Sequence, residues 1–273
     1  MIRLLSKYNV SIFNGLKKGM WETVTDKLAG INAIMEALKG QRKIHKILVQ
    51  SGKKNRRLEE LLLLARKKGV FVQEVEKERL NQMYRVGNHQ GIIATVDAFS
   101  YASVEEILEK AALSGQPPLV LILDGIEDPQ NLGAIIRTAE CAGVHGIVLP
   151  RHNSAEITDA VARVAAGAVE HVLIAQETNL VNVMRKLKDL GLWIVGSEMN
   201  ARADYFSTVF PSPTALVVGG EGKGVRKLVL ENCDLVVKIP MHGRITSLTA
   251  SVAASLLIYE ALRQRAEQLP GGG

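Results

Sequence analysis

Residues 235–265, LVVKIPMHGRITSLTASVAASLLIYEALRQR, carry the pattern that decides the fold of this chain. A short apolar strand runs into a loop that contains Pro240, Gly243 and Ser247, and a long helix follows. Small side chains dominate the first turns of that helix, at positions 250, 251, 253, 254 and 255. Such side chains let another backbone or a flat ligand come close, whereas a helix that only fills a core is expected to carry more Leu and Ile. The stretch therefore predicts a helix against which another segment or a ligand lies.

The composition indicates a globular protein. With 273 residues, of which 47% are hydrophobic and 23% charged, the chain can bury a sizeable core and form two domains. The longest apolar runs, 61–65 and 119–123, fall far short of the ~20 residues that span a bilayer. Cys141 and Cys233 lack CxxC spacing, which argues against a zinc site and favours two core thiols in a reducing compartment. We therefore expect a soluble, cytoplasmic protein.

The charge is divided unevenly along the chain. Residues 1–98 contain 19 Lys and Arg against 9 Asp and Glu, a net charge of +10, and the remaining residues have a net charge of −4. The first part is therefore where a polyanion is expected to bind. On charge alone, a solvated basic face that binds nothing is the alternative.

Residues 1–21 contain four basic residues, no acidic residue and no continuous apolar core of the kind that a secretory signal has. We expect a flexible extension here, with a native start at Met20 or a transit peptide as the alternatives. From residue 22 to residue 98 the pattern predicts helices at 28–38 and 58–68 and strands at 44–49, 70–75 and 91–96. These elements predict a small α/β domain.

Two loops of this first domain are expected to bind RNA. Residues 51–57, SGKKNRR, combine a glycine with four cations, and residues 85–90, RVGNHQ, offer amide groups and an imidazole before the last strand. Such loops can follow a phosphate backbone and hydrogen-bond to unstacked bases. For His89 a capping or core role is the alternative. The candidate RNA-binding residues are Lys53, Lys54, Arg56, Arg57, Arg85, Asn88, His89 and Gln90.

Residues 99–118 are predicted to be a linker with a turn of amphipathic helix at 104–113, because two prolines at its end stop any helix and mark a domain boundary. The second domain, 119–267, alternates strands with helices as a parallel sheet requires. After the strand at 119–123, its elements are predicted at 146–149, 155–166, 172–175, 180–190, 192–195 and 214–218.

The first helix of the second domain carries candidate functional residues. Asp128 and Gly143 can cap its two ends. Arg137 lies roughly opposite its predicted buried face, one turn beyond Gly133, whose missing side chain leaves space. A solvated surface arginine is the alternative. Polar residues at the carboxyl end of the preceding strand favour a binding role, because open α/β sheets bind ligands there; they are Asp124, Asp128 and Asn131.

A glycine-rich turn, GGEGKG at 219–224, follows the strand at 214–218. Such turns are typical of phosphate cradles. This one matches neither GxGxxG nor GxxxxGK[ST], and it comes late in its domain. A dinucleotide or nucleoside triphosphate site is therefore disfavoured.

Three segments together resemble one family of enzymes. They are DPQNLGAIIRTAECAG at 128–143, VVGGEGKGV at 217–225 and IPMHGRITSLTASVAASLLIYEALRQR at 239–265. In order and separation they are similar to the three motifs of the SpoU (TrmH-type) branch of the SPOUT RNA methyltransferases. In the first domain, AGINAIMEALKG and HQGIIATV resemble the ribosomal-protein-like RNA-binding domain of bacterial large-subunit rRNA guanosine 2′-O-methyltransferases of the RlmB type.

The resemblance implies a SPOUT domain with a parallel sheet and a deep carboxyl-terminal trefoil knot, a rare exception to unknotted connections. It also implies that the knot binds S-adenosylmethionine, that the SPOUT domain forms a homodimer, and that no metal is needed. The residues implied to contact the cofactor are Gly219, Gly220, Ile239, Met241 and Leu248.

The implied reaction is methyl transfer to a ribose 2′-hydroxyl of RNA. Arg137 and an RNA phosphate are implied to draw off the hydroxyl proton together, because arginine at its ordinary pKa is a poor base. Positioning and electrostatics then carry much of the catalysis. The residues implied to form the catalytic pocket are Asn131, Arg137, Glu221, Ser247 and Thr249.

Thr249 departs from the family pattern, which reads Ser-Leu-Asn where this chain has Ser247, Leu248 and Thr249. Threonine lacks the second hydrogen-bonding group of the amide, and we expect it to weaken catalysis. A tRNA ribose methyltransferase of the same family is one alternative function, which the ribosomal-protein-like first domain disfavours. A non-catalytic RNA-binding relative is the other, and the intact pocket residues disfavour it. We therefore expect an S-adenosylmethionine-dependent 2′-O-methyltransferase that acts on a guanosine of large-subunit rRNA.

Overall fold

The computed structural model describes residues 25–85 and 87–268, and of Gln268 the backbone only. The extension predicted at 1–21 lies outside the described residues. Two separate sheets organise the chain, one of four strands and one of seven. The α/β fold with a parallel second sheet is thereby confirmed.

The first sheet has the strand order β1-β4-β2-β3 and is antiparallel except between β2 and β3. Because β2 and β4 are antiparallel neighbours, the end of β2 lies beside the start of β4. The two loops predicted to bind RNA are therefore adjacent. The elements of this domain are β1 (Thr25–Ala29), α1 (Ile31–Lys39), β2 (Ile44–Gln50), α2 (Arg56–Lys67), β3 (Phe71–Val75), α3 (Lys77–Met83) and β4 (Ile92–Asp97).

Three elements of the first domain, β1, α1 and α3, differ from the sequence prediction. The helix predicted from Leu28 begins at Ile31, and Leu28 lies in β1, where it pairs with Ala94 of β4. Gly30, with φ at 96°, separates strand from helix, since this angle lies outside the helical region. Helix α3 was not predicted, because Leu80 is its single buried residue and leaves no amphipathic period to read.

The second sheet has the order β7-β6-β5-β10-β8-β11-β9, and all its strand pairs are parallel. Helices cover both faces, as parallel sheets require. The elements are α4 (Val104–Ser114), β5 (Leu119–Asp124), α5 (Pro129–Cys141), β6 (Gly146–Pro150), α6 (Asp159–Val164), β7 (Leu173–Glu177), α7 (Leu180–Asp189), β8 (Trp193–Ser197), β9 (Ala203–Asp204), β10 (Thr214–Gly219), α8 (Lys227–Leu230), β11 (Leu235–Lys238) and α9 (Ala250–Gln268).

Helix α4, predicted as a turn within the linker, packs into the second domain. Val104 and Ile107 are buried in the same apolar cluster as Val120 and Ile122 of β5. A reciprocal capping box between Ser103 and Glu106 fixes the start of the helix. Part of the segment 99–118 therefore covers one face of the second sheet.

Helix α6 is shorter than the predicted 155–166. It begins at Asp159, and the residues between β6 and this helix form bends and irregular structure. The backbone N–H of Ala155 donates to the carbonyl of Ile126 at 2.8 Å. The helix packs chiefly against α5 and β1, and it also contacts α1.

Helix α9 packs through Ala254, Leu257 and Ile258, while Val252 and Tyr259 on the same helix are exposed. Its distal end is tied down at two places. The Gln264 amide accepts from the backbone N–H of residue 210 at 2.7 Å and donates to the carbonyl of residue 208 at 2.8 Å. The Arg265 guanidinium donates to the carbonyls of residues 117 and 118. Across the described ranges, no helix combines the length and the apolar character needed to cross a membrane.

The two cysteines differ in environment. Cys233 is half-buried, and burial raises the pKa of its thiol to about 12. Cys141 is exposed at the end of α5, so its prediction as a core thiol is wrong. The reason is its position on the outer side of a helix whose buried face is formed by other residues.

Candidate active site

A cavity of about 340 Å³ opens at the carboxyl ends of β5, β6 and β10. This is the edge at which parallel α/β sheets bind ligands. Three loops form it: the one after β5, the one after β6 and the glycine-rich turn after β10. The polar lining residues are Asp124, Glu127, Asp128, Asn131, His152, Asn153, Glu221, Lys223 and Arg226.

Asp124 organises the floor of this cavity. Its side chain is only 1% exposed, and its carboxylate accepts from the Arg226 backbone N–H at 2.8 Å and from Arg226 Nε at 2.7 Å. Both bonds are charge-assisted and hence stronger than neutral ones. They fix the far end of the glycine-rich turn against the end of β5.

The glycines of the turn are required by close backbone approach. A Cβ at Gly220 would overlap the carbonyl oxygen of Gly125, and one at Gly219 would overlap the peptide between Gly224 and Val225. The backbone N–H of Gly220 donates to the Asp124 carbonyl at 2.9 Å. The turn is therefore folded back on itself and packed against the end of β5.

Asn131 joins the three predicted motif segments. The residue is 9% exposed, and its Nδ2 donates to Glu221 Oε1 at 3.0 Å. Its Oδ1 accepts from the backbone N–H of Ser251 at 3.3 Å. Asp128 caps α5 as predicted, by accepting from the Asn131 backbone N–H. One amide thus holds the start of α5, the glycine-rich turn and the start of α9 together.

The segment 239–249 leads from β11 into α9 and carries the other predicted cofactor and pocket residues. Ile239, Met241 and Leu248 are half-buried, whereas Ser247 and Thr249 are exposed. Thr249 Oγ1 lies 3.2 Å from Ser251 Oγ. Residues 239–249 do not line the cavity, whereas Ala250, the first residue of α9, does.

Arg137 lies apart from this cavity. It is exposed on α5, as predicted, and lines a second cleft together with Glu36, Glu140 and His171. Asn131 and Arg137 are six residues apart, so they point to different sides of the helix. Within one chain the structure brings Asn131 and Glu221 together and places Arg137 elsewhere.

The two predicted RNA-binding loops form a basin of about 540 Å³ at the end of β2. Lys53, Asn88, His89 and Gln90 line it, and Lys77 of α3 adds a further cation. The other predicted cations are exposed around this basin or on the start of α2; they are Lys54, Arg56, Arg57 and Arg85.

His89 is buried and hydrogen-bonded within the protein, as its alternative role as a core histidine implies. Its Nδ1 accepts from the Gly91 backbone N–H at 2.9 Å, and its Nε2 lies 2.8 Å from Asn81 Oδ1. Burial, with a smaller contribution from Lys53 and Lys77, lowers the pKa of the ring below its usual value. The neutral ring has both nitrogens engaged, so it shapes the loop and has none left for an RNA base.

Three polar residues of the cavity have no signal in the sequence. His152, Asn153 and Arg226 line it, but none belongs to a local pattern that indicates a site. Glu127 and Lys223 also line it, and they lie beside or within segments that the sequence singles out. Arg226 pairs with a carboxylate 102 positions away. Only the fold makes such residues neighbours.

Two family models match the chain. The model of the SpoU rRNA Methylase family matches residues 118–259, and a model for RNA 2′-O ribose methyltransferase substrate binding matches residues 27–102. The chain is also similar to YacO of Bacillus subtilis (strain 168), which its name assigns to the TrmH family of tRNA/rRNA methyltransferases. The identity is 42% over 240 residues, which cover 88% of this chain and 96% of YacO.

Solved structures share the two-domain architecture. A crystal structure of an RNA 2′-O ribose methyltransferase has a TM-score of 0.74 and 27% identity, and the match covers 89% of this chain and 90% of the other. The SpoU methyltransferase AviRb from Streptomyces viridochromogenes, solved in complex with AdoMet, has the same fold, with a TM-score of 0.75, 24% identity and coverage of 89% and 91%. The family models span both domains, and the three motif segments meet at Asn131. This chain therefore belongs to the SpoU (TrmH) family of RNA 2′-O-methyltransferases.

Proposed function

We propose that this chain transfers a methyl group from S-adenosylmethionine to a ribose 2′-hydroxyl of ribosomal RNA, at a guanosine of the large subunit. The observation that carries the proposal is the amide of Asn131, which joins Glu221 and the start of α9 in one cavity. The match of residues 27–102 to a substrate-binding domain supports RNA as the substrate. The exposed cations around the basin of the first domain support a polyanionic partner.

The residues proposed to hold the cofactor fit its chemistry. Gly219 ends β10, and Ile239 follows β11, so both lie at the ligand-binding edge of the sheet. Ile239, Met241 and Leu248 are half-buried and offer apolar surface, beside backbone N–H and carbonyl groups of the same loops. Such a combination suits the adenosine part of the cofactor. When bound, S-adenosylmethionine supplies an electrophilic methyl group.

The protein's own contribution is to activate and orient the ribose. A 2′-hydroxyl is a poor nucleophile until its proton is removed, and we assign this task to Arg137 acting with an RNA phosphate. Both polar atoms of the Asn131 amide are engaged, so it orients Glu221 and α9. We propose that Glu221, Ser247 and Thr249 position the ribose. Positioning of this kind supplies much of the rate in reactions that need little covalent help.

A homodimer is part of the proposal. Ile245 is 78% exposed, Val252 46% and Tyr259 50%, and apolar side chains grouped near one helix indicate an interface. Arg137 lies outside the cavity of its own chain, and in a dimer it can act on the cavity of the second copy.

The molecular mass in solution tests whether the chain forms a dimer. Mixed dimers of Arg137→Ala and Glu221→Ala chains should regain activity if Arg137 acts on the partner's cavity. The trefoil knot and a cytoplasmic location belong to the same proposal, supported by family membership.

The substrate is tested with labelled S-adenosylmethionine. Ribosomal RNA from both subunits and total tRNA are offered separately, and the modified nucleotide is mapped. We expect label at one guanosine of large-subunit rRNA. Label in tRNA alone would show that the proposed substrate is wrong and the proposed reaction is right. No label in either RNA would contradict the proposed function.

RNA affinity is expected to depend on the cations around the basin of the first domain. Replacement of Lys53, Lys54 and Arg57 by alanine should weaken RNA binding about 10- to 50-fold at physiological salt. A plot of log affinity against log salt concentration should become less steep by about 2, since each cation neutralises one phosphate and so releases counterions. Binding is measured by titration at several salt concentrations. The matched control replaces Arg66, Lys67 and Lys68, which carry the same charge at the other end of α2. Equal losses in both triple variants would show that only net charge matters.

Replacement of Thr249 by asparagine is expected to raise the single-turnover rate about 2- to 10-fold, the value of one net hydrogen bond. The gain is modest because Ser251 already lies within hydrogen-bond distance of the Thr249 hydroxyl. Asparagine is as good a residue as threonine before a helix, so stability should not change. An unchanged or lower rate would show that the pocket has adapted to threonine.

A further inference from the structure

Helix α6 of the second domain is bonded directly to the first domain. Asp159 Oδ1 accepts from the Ala29 backbone N–H at 2.8 Å, and Oδ2 accepts from the Tyr84 hydroxyl. Tyr84 is only 8% exposed. Burial, with the Asp159 carboxylate, raises the pKa of Tyr84, so its hydroxyl keeps the proton that it donates. One carboxylate therefore holds the end of β1 and the end of α3.

Tyr84 ends α3 and precedes the loop that contains residues 87–91 of the basin. Its backbone N–H closes α3 on the Leu80 carbonyl at 2.9 Å. Farther along this loop, the guanidinium of Arg163 fills the space where a Cβ of Gly87 would stand. Asp159 and Arg163 are four positions apart, so both point to one side of α6. A single turn of helix thus contacts Tyr84, before the loop, and Gly87, within it.

The opposite side of α6 is fixed to the catalytic elements. A Cβ at Gly133 of α5 would overlap Val164, so the two helices are as close as backbones allow. Gly133 is two residues from Asn131, the amide that joins the cavity walls. The residues that lead into α6 include His152 and Asn153, which line the cavity itself. Helix α6 therefore contacts Gly87 of the RNA-binding basin and packs against α5, the helix that carries Asn131 of the candidate active site.

We propose that Asp159 and Arg163 are positioning residues that hold residues 87–91 of the basin in a fixed place relative to the catalytic cavity. An RNA segment bound in the basin is thereby presented so that one particular ribose reaches the cavity. This inference rests on the proposed function. Its physical basis is that a displacement of about 1 Å at a reacting group can cost on the order of 10²-fold in rate, even when binding is intact.

The chain offers a matched control for interdomain contact in general. Arg42 of the first domain pairs with Glu170 of the second at 3.2 Å, and Glu170 is 5% exposed. This pair belongs to the interface but touches neither the basin nor the cavity. A Glu170→Gln variant keeps a hydrogen-bonding group at this place but loses the ion pair. Its rate shows the effect of weaker contact between the two domains by itself.

The test uses the full chain with RNA in single-turnover assays. Tyr84→Phe removes one hydroxyl and keeps the packing, while Asp159→Ala removes the acceptor of both bonds. We expect about a 10-fold lower rate for Tyr84→Phe and on the order of 10²-fold for Asp159→Ala. The affinities for RNA and for S-adenosylmethionine should change less than threefold. The double variant should be no slower than Asp159→Ala alone. Asp159→Ala already breaks the bond to the Tyr84 hydroxyl, so removing that hydroxyl as well has no further effect.

Mapping of the methylated nucleotide separates positioning from stability, because a loss of stability alone does not change which nucleotide is methylated. We expect the fraction of methyl groups at the preferred nucleotide to fall in Tyr84→Phe and to stay unchanged in Glu170→Gln. A Tyr84→Phe rate equal to that of the wild type, or a loss of rate matched by an equal loss of RNA affinity, would overturn the positioning role. Arg163→Ala serves as a second variant if Asp159→Ala does not fold. Failure of the wild-type chain to methylate any RNA would instead overturn the proposed function.

Discussion

Replacing Arg137 by alanine is expected to abolish methyl transfer, with a single-turnover rate about 10³-fold below that of the wild type. A group that stabilises charge only as the reaction proceeds costs about 10² to 10³ when removed. Arg137 is exposed on the outer side of α5, and alanine is a strong helix former, so the fold should be unaffected. Thermal unfolding and cofactor titration check that the loss is chemical.

The control for Arg137 is Arg185, an exposed arginine on helix α7 of the same domain. Arg185→Ala makes the same chemical change away from both clefts. Its rate should remain within twofold of the wild type. An Arg137→Ala variant that keeps more than half of the wild-type rate would remove Arg137 from the mechanism.

The second large effect is expected at Gly220. An alanine there would overlap the carbonyl oxygen of Gly125, so the ends of β5 and β10 must separate. Such overpacking costs about 1 to 3 kcal/mol of stability. The displaced backbone is also the proposed contact of the cofactor. We expect the affinity for S-adenosylmethionine to fall by about 10- to 100-fold, which corresponds to one or two backbone hydrogen bonds.

Calorimetric titration and thermal unfolding measure these two effects. Gly222→Asn is the matched control, because Gly222 lies in the same turn and has no atom within 4 Å of its Cβ position. Its φ of 78° suits asparagine better than other side chains. If both variants lose affinity equally, flexibility of the turn and not close approach explains the role of its glycines.

Much of the fold follows from local sequence. Residues 119–123 alternate between the two faces of the second sheet, with Leu121 in one apolar cluster and Ile122 in the other, and such buried strands are apolar throughout. Helix α5 keeps the period, the cap at Asp128 and the end near Gly143 that its sequence predicts. These features depend on neighbours within a few positions, so the sequence contains them.

Elements with little local signal are not predicted from the sequence, or are predicted with the wrong bounds. Leu28 suits a helix or a strand, and its partner Ala94 in β4 decides for the strand. Helix α6 begins late because Ala155 bonds to Ile126 and Asp159 to the first domain. In each case a long-range bond outweighs a propensity difference that is below about 1 kcal/mol per residue.

The candidate site divides in the same way. Motif spacing alone shows which residue types the site contains, since it places Asn131, Glu221 and Ser247 in three recognisable segments. The folded chain is needed to show that Asn131 bonds to Glu221 across 90 positions and that Asp124 bonds to Arg226 across 102. It is also needed to show that Arg137 faces a different cleft. The fold likewise shows that His89 bonds to Gly91 within the loop and that Tyr84 bonds to Asp159. The physical reason is that a local period fixes the side of an element on which a residue lies, whereas the packing of whole elements fixes which groups it meets.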